Sequence, residues 1–103
     1  MANTDNTFTK VPNALYDAML AQKLSITQER ALLYIIRKTY GFHKADDRIS
    51  ISKMAEDTGF TRRAMINAVH DLEKMGVIKL GSKRNGLAYY MNVQDPKLWD
   101  ADL

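Results

Sequence analysis

The chain of 103 residues contains no cysteine, two prolines and one tryptophan. Without cysteine it can form no disulfide framework, no zinc–cysteine site and no thiol nucleophile. Its longest apolar run, residues 31–36, is far too short to span a bilayer, and residues 1–8 lack the apolar stretch of a secretion signal. We therefore expect a small intracellular domain in the cytoplasm.

Signals for catalysis and for metal binding are also missing. The sequence has no glycine-rich phosphate loop, and its serines are better explained as helix caps or turn residues. Its two histidines, His43 and His70, do not have the spacing of metal ligands. We expect neither an enzyme nor a cofactor or metal site.

The remaining composition is that of one globular domain, with 46% hydrophobic and 26% charged residues. The net charge is only +3, but residues 61–90 hold six Lys and Arg against two acids, Asp71 and Glu73. Such a concentration is typical of a nucleic-acid surface and equally of a solvated face. Charge alone leaves both alternatives open.

The first half of the chain predicts two helices. Apolar spacing places the first over residues 12–22. A second helix runs to Tyr40, and its cap is either Ser25, in a capping box with Gln28, or Thr27, which suits the position equally well. We expect Gly41 to end it in a left-handed conformation. The predicted buried residues of the second helix are Leu32, Leu33, Ile35 and Ile36. A short strand is predicted at residues 48–49.

The second half has the pattern of a helix-turn-helix followed by a hairpin. Ser50 caps a short helix that Gly59 ends, and Thr61 caps a fourth helix that stops at Gly76. Strand-like runs at residues 77–80 and 87–91 flank residues 81–86, which contain an Asn-Gly turn. We therefore predict a mainly α winged helix-turn-helix with a small β-hairpin. Residues 1–10 are expected to be a flexible arm, 11–93 the domain and 94–103 a tail.

The fourth helix separates two kinds of side chain. Its apolar stripe is Met65, Ala68, Val69 and Leu72. Roughly opposite lie Arg62, Arg63, Ile66, Asn67 and His70. That face has the composition of a DNA-reading surface, although an ordinary solvated helix face is the alternative.

Each of these residue types matches a feature of duplex DNA. Arginine can donate two hydrogen bonds to guanine, Asn67 matches adenine, and Ile66 suits a thymine methyl. Thr61 and the first free amides of the helix can bind a phosphate oxygen. Further predicted contacts from the wing and to the DNA backbone are Lys53, Lys74, Lys83, Arg84 and Asn85. Near the C-terminus, Trp99 with Leu98 either packs back over the core or offers a partner surface.

Three segments resemble the N-terminal domain of the bacteriophage replication protein O family. They are residues 8–15 (FTKVPNAL), residues 36–44 (IRKTYGFHK), and residues 48–55 (RISISKMA) followed by 59–62 (GFTR). Together the resemblance covers about residues 8–80. Many winged-helix regulators share the third segment, whereas the other two are much more specific.

This resemblance implies the DNA-binding domain of a replication initiator that binds repeats at a phage origin. It also implies a homodimer on inverted repeats, recruitment of helicase-loading proteins, and recognition through Thr61, Arg62, Arg63, Asn67 and His70. Family members usually continue into a C-terminal region that contacts the helicase loader, whereas this chain stops at Leu103. It is then either a piece of a longer protein or a standalone domain. A phage or mobile-element regulator at an operator and a winged-helix protein-interaction module are the other hypotheses.

Overall fold

The computed structural model describes residues 8–42, 47–84 and 88–99. In these ranges helices α1 to α4 span Asn13–Ala21, Ile26–Thr39, Ile51–Thr58 and Arg62–Lys74. Strands β1 to β3 span Asp47–Ser50, Ile78–Arg84 and Ala88–Val93, and short 3-10 helices lie at Tyr40–Phe42 and Pro96–Leu98. The architecture is mainly helical, with one antiparallel sheet in the order β1–β3–β2.

The predicted helix starts are confirmed by side chains that satisfy free backbone amides. The Ser25 hydroxyl accepts from the Gln28 N–H at 3.2 Å, and the Gln28 side chain accepts from the Ser25 N–H at 3.0 Å, which completes a capping box. Ser50 and Thr61 accept in the same way from amides three residues later, at 3.2 and 3.1 Å. Short polar side chains therefore set where α2, α3 and α4 begin.

Two of the three predicted glycine stops are confirmed. Gly59 and Gly76 have φ angles of +81° and +78°, in the left-handed region. The predicted left-handed stop at Gly41 is wrong, because this residue lies in the 3-10 helix Tyr40–Phe42 and has no positive φ. A Cβ at Gly41 would lie 2.7 Å from Nη1 of Arg37, which is the far end of a flexible side chain and can move aside.

Helix α2 lies at the centre of the fold and packs against α3, α4, β1 and β3. Leu32, Ile35 and Ile36 are buried as predicted. The predicted burial of Leu33 is wrong, since 45% of this residue is exposed. A two-sided apolar run at residues 32–36 gives four candidates for the core, and only the packing of α2 decides which of them are buried. No helix in the described ranges is long and apolar enough to cross a bilayer.

The strands extend beyond their predicted bounds. The predicted strand at residues 48–49 is confirmed as part of β1, which pairs with β3. Strand β2 continues through residues 81–84, which we predicted as loop, and its register against β3 is irregular between Leu80 and Lys83. Residues 81–84 are polar and lack the alternating apolar pattern of a strand. They are extended because pairing with β3 supplies their backbone hydrogen bonds. The predicted Asn85-Gly86 turn lies outside the described residues, as do His43 and residues 1–7 of the predicted arm.

Residues 94–99 pack back against the body of the fold. The Gln94 N–H donates to the Val77 carbonyl at 2.8 Å, and the Trp99 indole N–H donates to the Gln94 carbonyl at 3.0 Å. Trp99 is half-buried against the core, and the 3-10 helix Pro96–Leu98 contacts α1. Of the two alternatives for Trp99, packing over the core is the one observed.

Candidate nucleic-acid interface

Helices α3 and α4 are joined by a short turn that contains Gly59. The left-handed backbone of Gly59 ends α3, and the N-cap Thr61 starts α4 two residues later. Helix α4 then buries its predicted stripe, because Met65, Ala68, Val69 and Leu72 are each at most 1% exposed. This burial fixes the rotation of α4 and turns its opposite side to solvent.

The solvent side of α4 carries a row of exposed polar side chains. At about 100° per residue, four of them fall within roughly 60° of the helix circumference, directly opposite the buried stripe. These four exposed residues form what we call the α4 outer face: Arg63, Asn67, His70 and Lys74. Arg62 is exposed on one flank, and Ile66 is half-buried at the edge of the core. The helix therefore brings together the residues predicted on it, with Lys74 added to the same row.

The cationic and amide groups of this row have no competing partners nearby. No hydrogen bond or ion pair joins the side chain of Arg62, Arg63, Asn67 or Lys74 to another described residue. The first turn of α4 contains no acidic residue. Asp71, on the other flank, accepts a hydrogen bond of 3.2 Å from the Gln28 side chain. The guanidinium and amide donors are thus available to a ligand.

One member of the row connects α4 to the sheet. The His70 ring meets the Tyr89 ring of β3 edge to face, with centroids 6.2 Å apart and planes at 87°. In the strand register, Tyr89 lies opposite Lys83, and Arg84 lies opposite Ala88. The strand that carries Lys83 and Arg84 pairs with β3 and also packs against α4 directly. Asn85 lies outside the described residues.

Tyr89 is not among the functional residues that the sequence predicts. Its contact with His70 depends on how the sheet packs against α4, which no local pattern reveals. The sequence identifies Tyr89 only as one residue of the strand-like run at residues 87–91.

The predicted backbone contact Lys53 lies in an acidic environment on α3. Its Nζ is 3.4 Å from a carboxylate oxygen of Asp57 and 3.5 Å from one of Glu56, and these charges raise the pKa of Lys53. Asp57 also accepts a hydrogen bond of 2.8 Å from the Tyr34 hydroxyl, which lowers the pKa of Asp57. Burial and the same bond raise the pKa of Tyr34. A phosphate at Lys53 has to compete with two carboxylates, and its predicted role stays a prediction.

The described residues give no sign of a metal centre. No group of three or more His, Asp or Glu side chains within them is close enough to hold an ion. The chemistry that the α4 outer face offers is hydrogen-bond donation and positive charge, which suits phosphates and the edges of bases.

Comparison with known proteins gives a consistent result. A family model described as bacteriophage replication protein O matches residues 1–93. The chain is 34% identical over 79 residues to replication protein O of Escherichia phage lambda, covering 77% of this chain and 24% of that protein. It is 30% identical over 87 residues to DNA replication protein gp18 of Salmonella phage P22, covering 84% of this chain and 32% of that protein. The chain thus spans about a quarter to a third of the length of these relatives.

Proposed function

The chain belongs to the bacteriophage replication protein O family, and from this premise we propose that it binds duplex DNA at repeats of a phage replication origin. The observation that carries the proposal is the α4 outer face, where Arg63, Asn67, His70 and Lys74 are exposed opposite a fully buried stripe. A helix with this division of residues can lie in a major groove while its other side remains packed in the core.

In this proposal the fold functions as a winged helix-turn-helix. Helix α3 crosses the DNA backbone, α4 enters the major groove, and the β2–β3 hairpin serves as the wing. Arg62 and Arg63, in the first turn of α4, face guanine edges. Asn67, one turn later, faces an adenine, and Ile66 contacts a thymine methyl from the edge of the row. His70 donates a further hydrogen bond in the groove while its ring stays perpendicular to that of Tyr89.

Residues around α4 bind the phosphates in this proposal. The N-cap Thr61 and the free amides of the first turn face one phosphate, and Lys74 reaches another from the last turn of α4. Lys83, Arg84 and Asn85 supply the wing contacts to the flanking backbone. Lys53 contributes only if it exchanges its carboxylate partners for a phosphate.

Salt dependence separates DNA binding from a role as a protein-interaction module. If each protomer neutralises five or six phosphates, the logarithm of the DNA affinity falls against the logarithm of salt concentration with a slope of about −5. Fluorescence anisotropy with duplexes from the encoding genome measures this slope, and Lys83→Ala should flatten it by about one unit on every sequence. A slope near zero for the folded chain would refute DNA binding.

Sequencing of genome fragments captured by the chain distinguishes an origin from an operator. Enrichment at clustered repeats supports origin binding, and inverted spacing of those repeats supports a dimer with one half-site per protomer. Peaks at promoters instead identify a transcriptional regulator. In the origin case, recruitment of helicase-loading proteins completes the proposed role in the host cytoplasm.

A further inference from the structure

The sheet turns one of its faces away from the helices. Side chains alternate along β3, so Tyr89 and Met91 share one face of the strand. Tyr89 contacts His70 of α4 and Met91 is fully buried, which places that face against the core. Tyr90 and Asn92 lie on the other face, and 38% of Tyr90 is exposed. This outer face of the sheet is therefore separate from the α4 outer face.

The strand register surrounds Tyr90 with residues of both neighbouring strands. Arg48 of β1 lies directly opposite Tyr90, and Lys79 of β2 lies directly opposite Asn92. A Cβ at Gly81 of β2 would lie 3.0 Å from the Cβ of Tyr90, so both positions are on the same face and any side chain at Gly81 would crowd the ring. We call these five residues the outer sheet patch: Arg48, Lys79, Gly81, Tyr90 and Asn92.

The charge of the outer sheet patch has one sign. Arg48 and Lys79 are exposed, and no hydrogen bond or ion pair joins either side chain to another described residue. Among the described strand residues Asp47 is the only acid, and it lies opposite the buried Met91, on the core face of the sheet. Two positive charges thus lie on either side of an exposed aromatic ring, with no carboxylate of the strands on their face.

The surface beside the ring has the size and chemistry for a nucleobase. A cavity of about 260 Å³ is lined by Lys79, Gly81, Tyr90 and Asn92. This is below the roughly 300–1,000 Å³ of sites for drug-sized ligands, and suits a single planar group. An aromatic ring provides a face on which a base stacks, and the amide of Asn92 can both donate to and accept from a base edge. In a duplex the faces of the bases are already stacked on one another, so this arrangement favours a single strand.

We propose that the outer sheet patch binds single-stranded nucleic acid, with one base stacked on the exposed part of the Tyr90 ring and phosphates on Arg48 and Lys79. The two cations lie on the outermost strands, about 10 Å apart across the sheet at about 4.8 Å per strand, with Tyr90 between them. A strand that crosses the sheet therefore meets both cations and the ring. The contact uses the ring of Tyr90 and not its hydroxyl. It goes beyond duplex binding by α4 and does not depend on it.

The test uses the full chain, labelled with ¹⁵N, and a thymidine oligonucleotide of six nucleotides. An abasic oligomer of the same length is the matched probe, because it keeps the phosphates and lacks the bases. Amide chemical-shift changes should centre on residues 48, 79–81 and 90–92 with the thymidine oligomer and be much weaker with the abasic one. They should persist when α4 is occupied by duplex DNA. A uridine oligomer shows which sugar is preferred, and tighter binding of either pyrimidine oligomer supports the proposal.

Substitutions separate stacking from charge. Tyr90→Ala should weaken binding of the thymidine oligomer by roughly 5- to 150-fold, the loss expected for one stacked base, whereas Tyr90→Phe should bind as the parent chain does. Tyr16→Ala is the matched control, because Tyr16 is 56% exposed on α1 and lies off the patch. Two phosphate contacts predict a log–log salt slope of about −1.4 on a single strand, and Arg48→Ala should halve it. Circular dichroism checks that the variants are folded.

Contrary outcomes are distinct from a failure of duplex binding. Equal binding of the thymidine and abasic oligomers would overturn the proposal, and this comparison uses the parent chain, so it holds even if Tyr90→Ala does not fold. Parent-like affinity of Tyr90→Ala, shift changes confined to Arg63 and Asn67, or no binding at about 5 mM oligomer would overturn it as well. If duplex DNA fails to bind while the oligomer still shifts the patch, the function proposed for α4 is wrong and this proposal stands.

Discussion

Gly59 and Gly76 have almost the same backbone conformation but should respond very differently to alanine. Their φ angles are +81° and +78°. A Cβ at Gly59 would meet no atom within 4 Å, whereas one at Gly76 would lie 2.5 Å from the carbonyl oxygen of Leu98. The pair therefore separates the cost of the left-handed conformation from the cost of displacing the packed residues 94–99.

The structure gives the two magnitudes. An alanine in the left-handed region costs about 1–2 kcal/mol, which is the whole effect expected for Gly59→Ala. At position 76 the carbonyl of Leu98 must also retreat by about 0.5 Å or more, against the Trp99 indole bond of 3.0 Å to Gln94. Overpacking of this kind costs a further 1–3 kcal/mol or so. Gly76→Ala should therefore lower the free energy of unfolding by about 2–5 kcal/mol.

Urea denaturation followed by circular dichroism measures both free energies of unfolding. Trp99 is the single tryptophan of the chain, so its fluorescence reports on residues 94–99 directly. Its emission in the folded state should shift to the red in Gly76→Ala and stay unchanged in Gly59→Ala. Equal losses of stability in the two variants, or an unchanged Trp99 emission in Gly76→Ala, would refute this account of the C-terminal packing.

Three further predictions concern stability. Ser25→Ala removes the capping box of α2 and should cost about 1 kcal/mol in urea denaturation; no loss would contradict the capping role. Leu72→Ala should cost about 2–5 kcal/mol, whereas Leu33→Ala, its exposed control, should cost under about 1 kcal/mol. The pKa of Asp57 is lowered in the folded state. Its contribution to the free energy of unfolding is therefore fully present at pH values above the pKa of an unfolded aspartate, and it is lost as the pH falls through the lower folded pKa. Tyr34→Phe should shrink that acid-dependent loss, and an unchanged pH profile would show that the hydrogen bond does not couple to folding.

Local signals explain why so much of the helical structure was predictable. A cap such as Ser25 or Thr61 acts on amides within three residues. The left-handed conformation of Gly59 ends α3 locally and does not depend on distant contacts. The buried stripe of α4 repeats at the helical period, so its opposite face follows at once. The candidate site on α4 could therefore be predicted from its own sequence.

Features that depend on distant partners could not be predicted in this way. Exposure of Leu33 follows from which side of α2 packs against α3 and α4. Extension of β2 through residues 81–84 follows from pairing with β3. The contact of His70 with Tyr89 likewise needs the sheet in place. The sequence of one segment does not show which distant segment will pack against it. The acidic partners of Lys53 are different, because they lie three and four residues away on α3, a helix that the sequence predicts, and could have been found from it.

The affinity of the Arg63→Ala variant for a captured duplex tests the central claim most directly. Arg30→Ala is the matched control, since both arginines are exposed on helices but only Arg63 belongs to the α4 outer face. We predict that Arg63→Ala costs about 1–3 kcal/mol, or roughly 5- to 150-fold in dissociation constant, and relaxes the preference at one base position, while Arg30→Ala binds as the parent chain does. Equal affinities for the two variants, with both folded, would contradict the assignment of α4 as the DNA-reading helix.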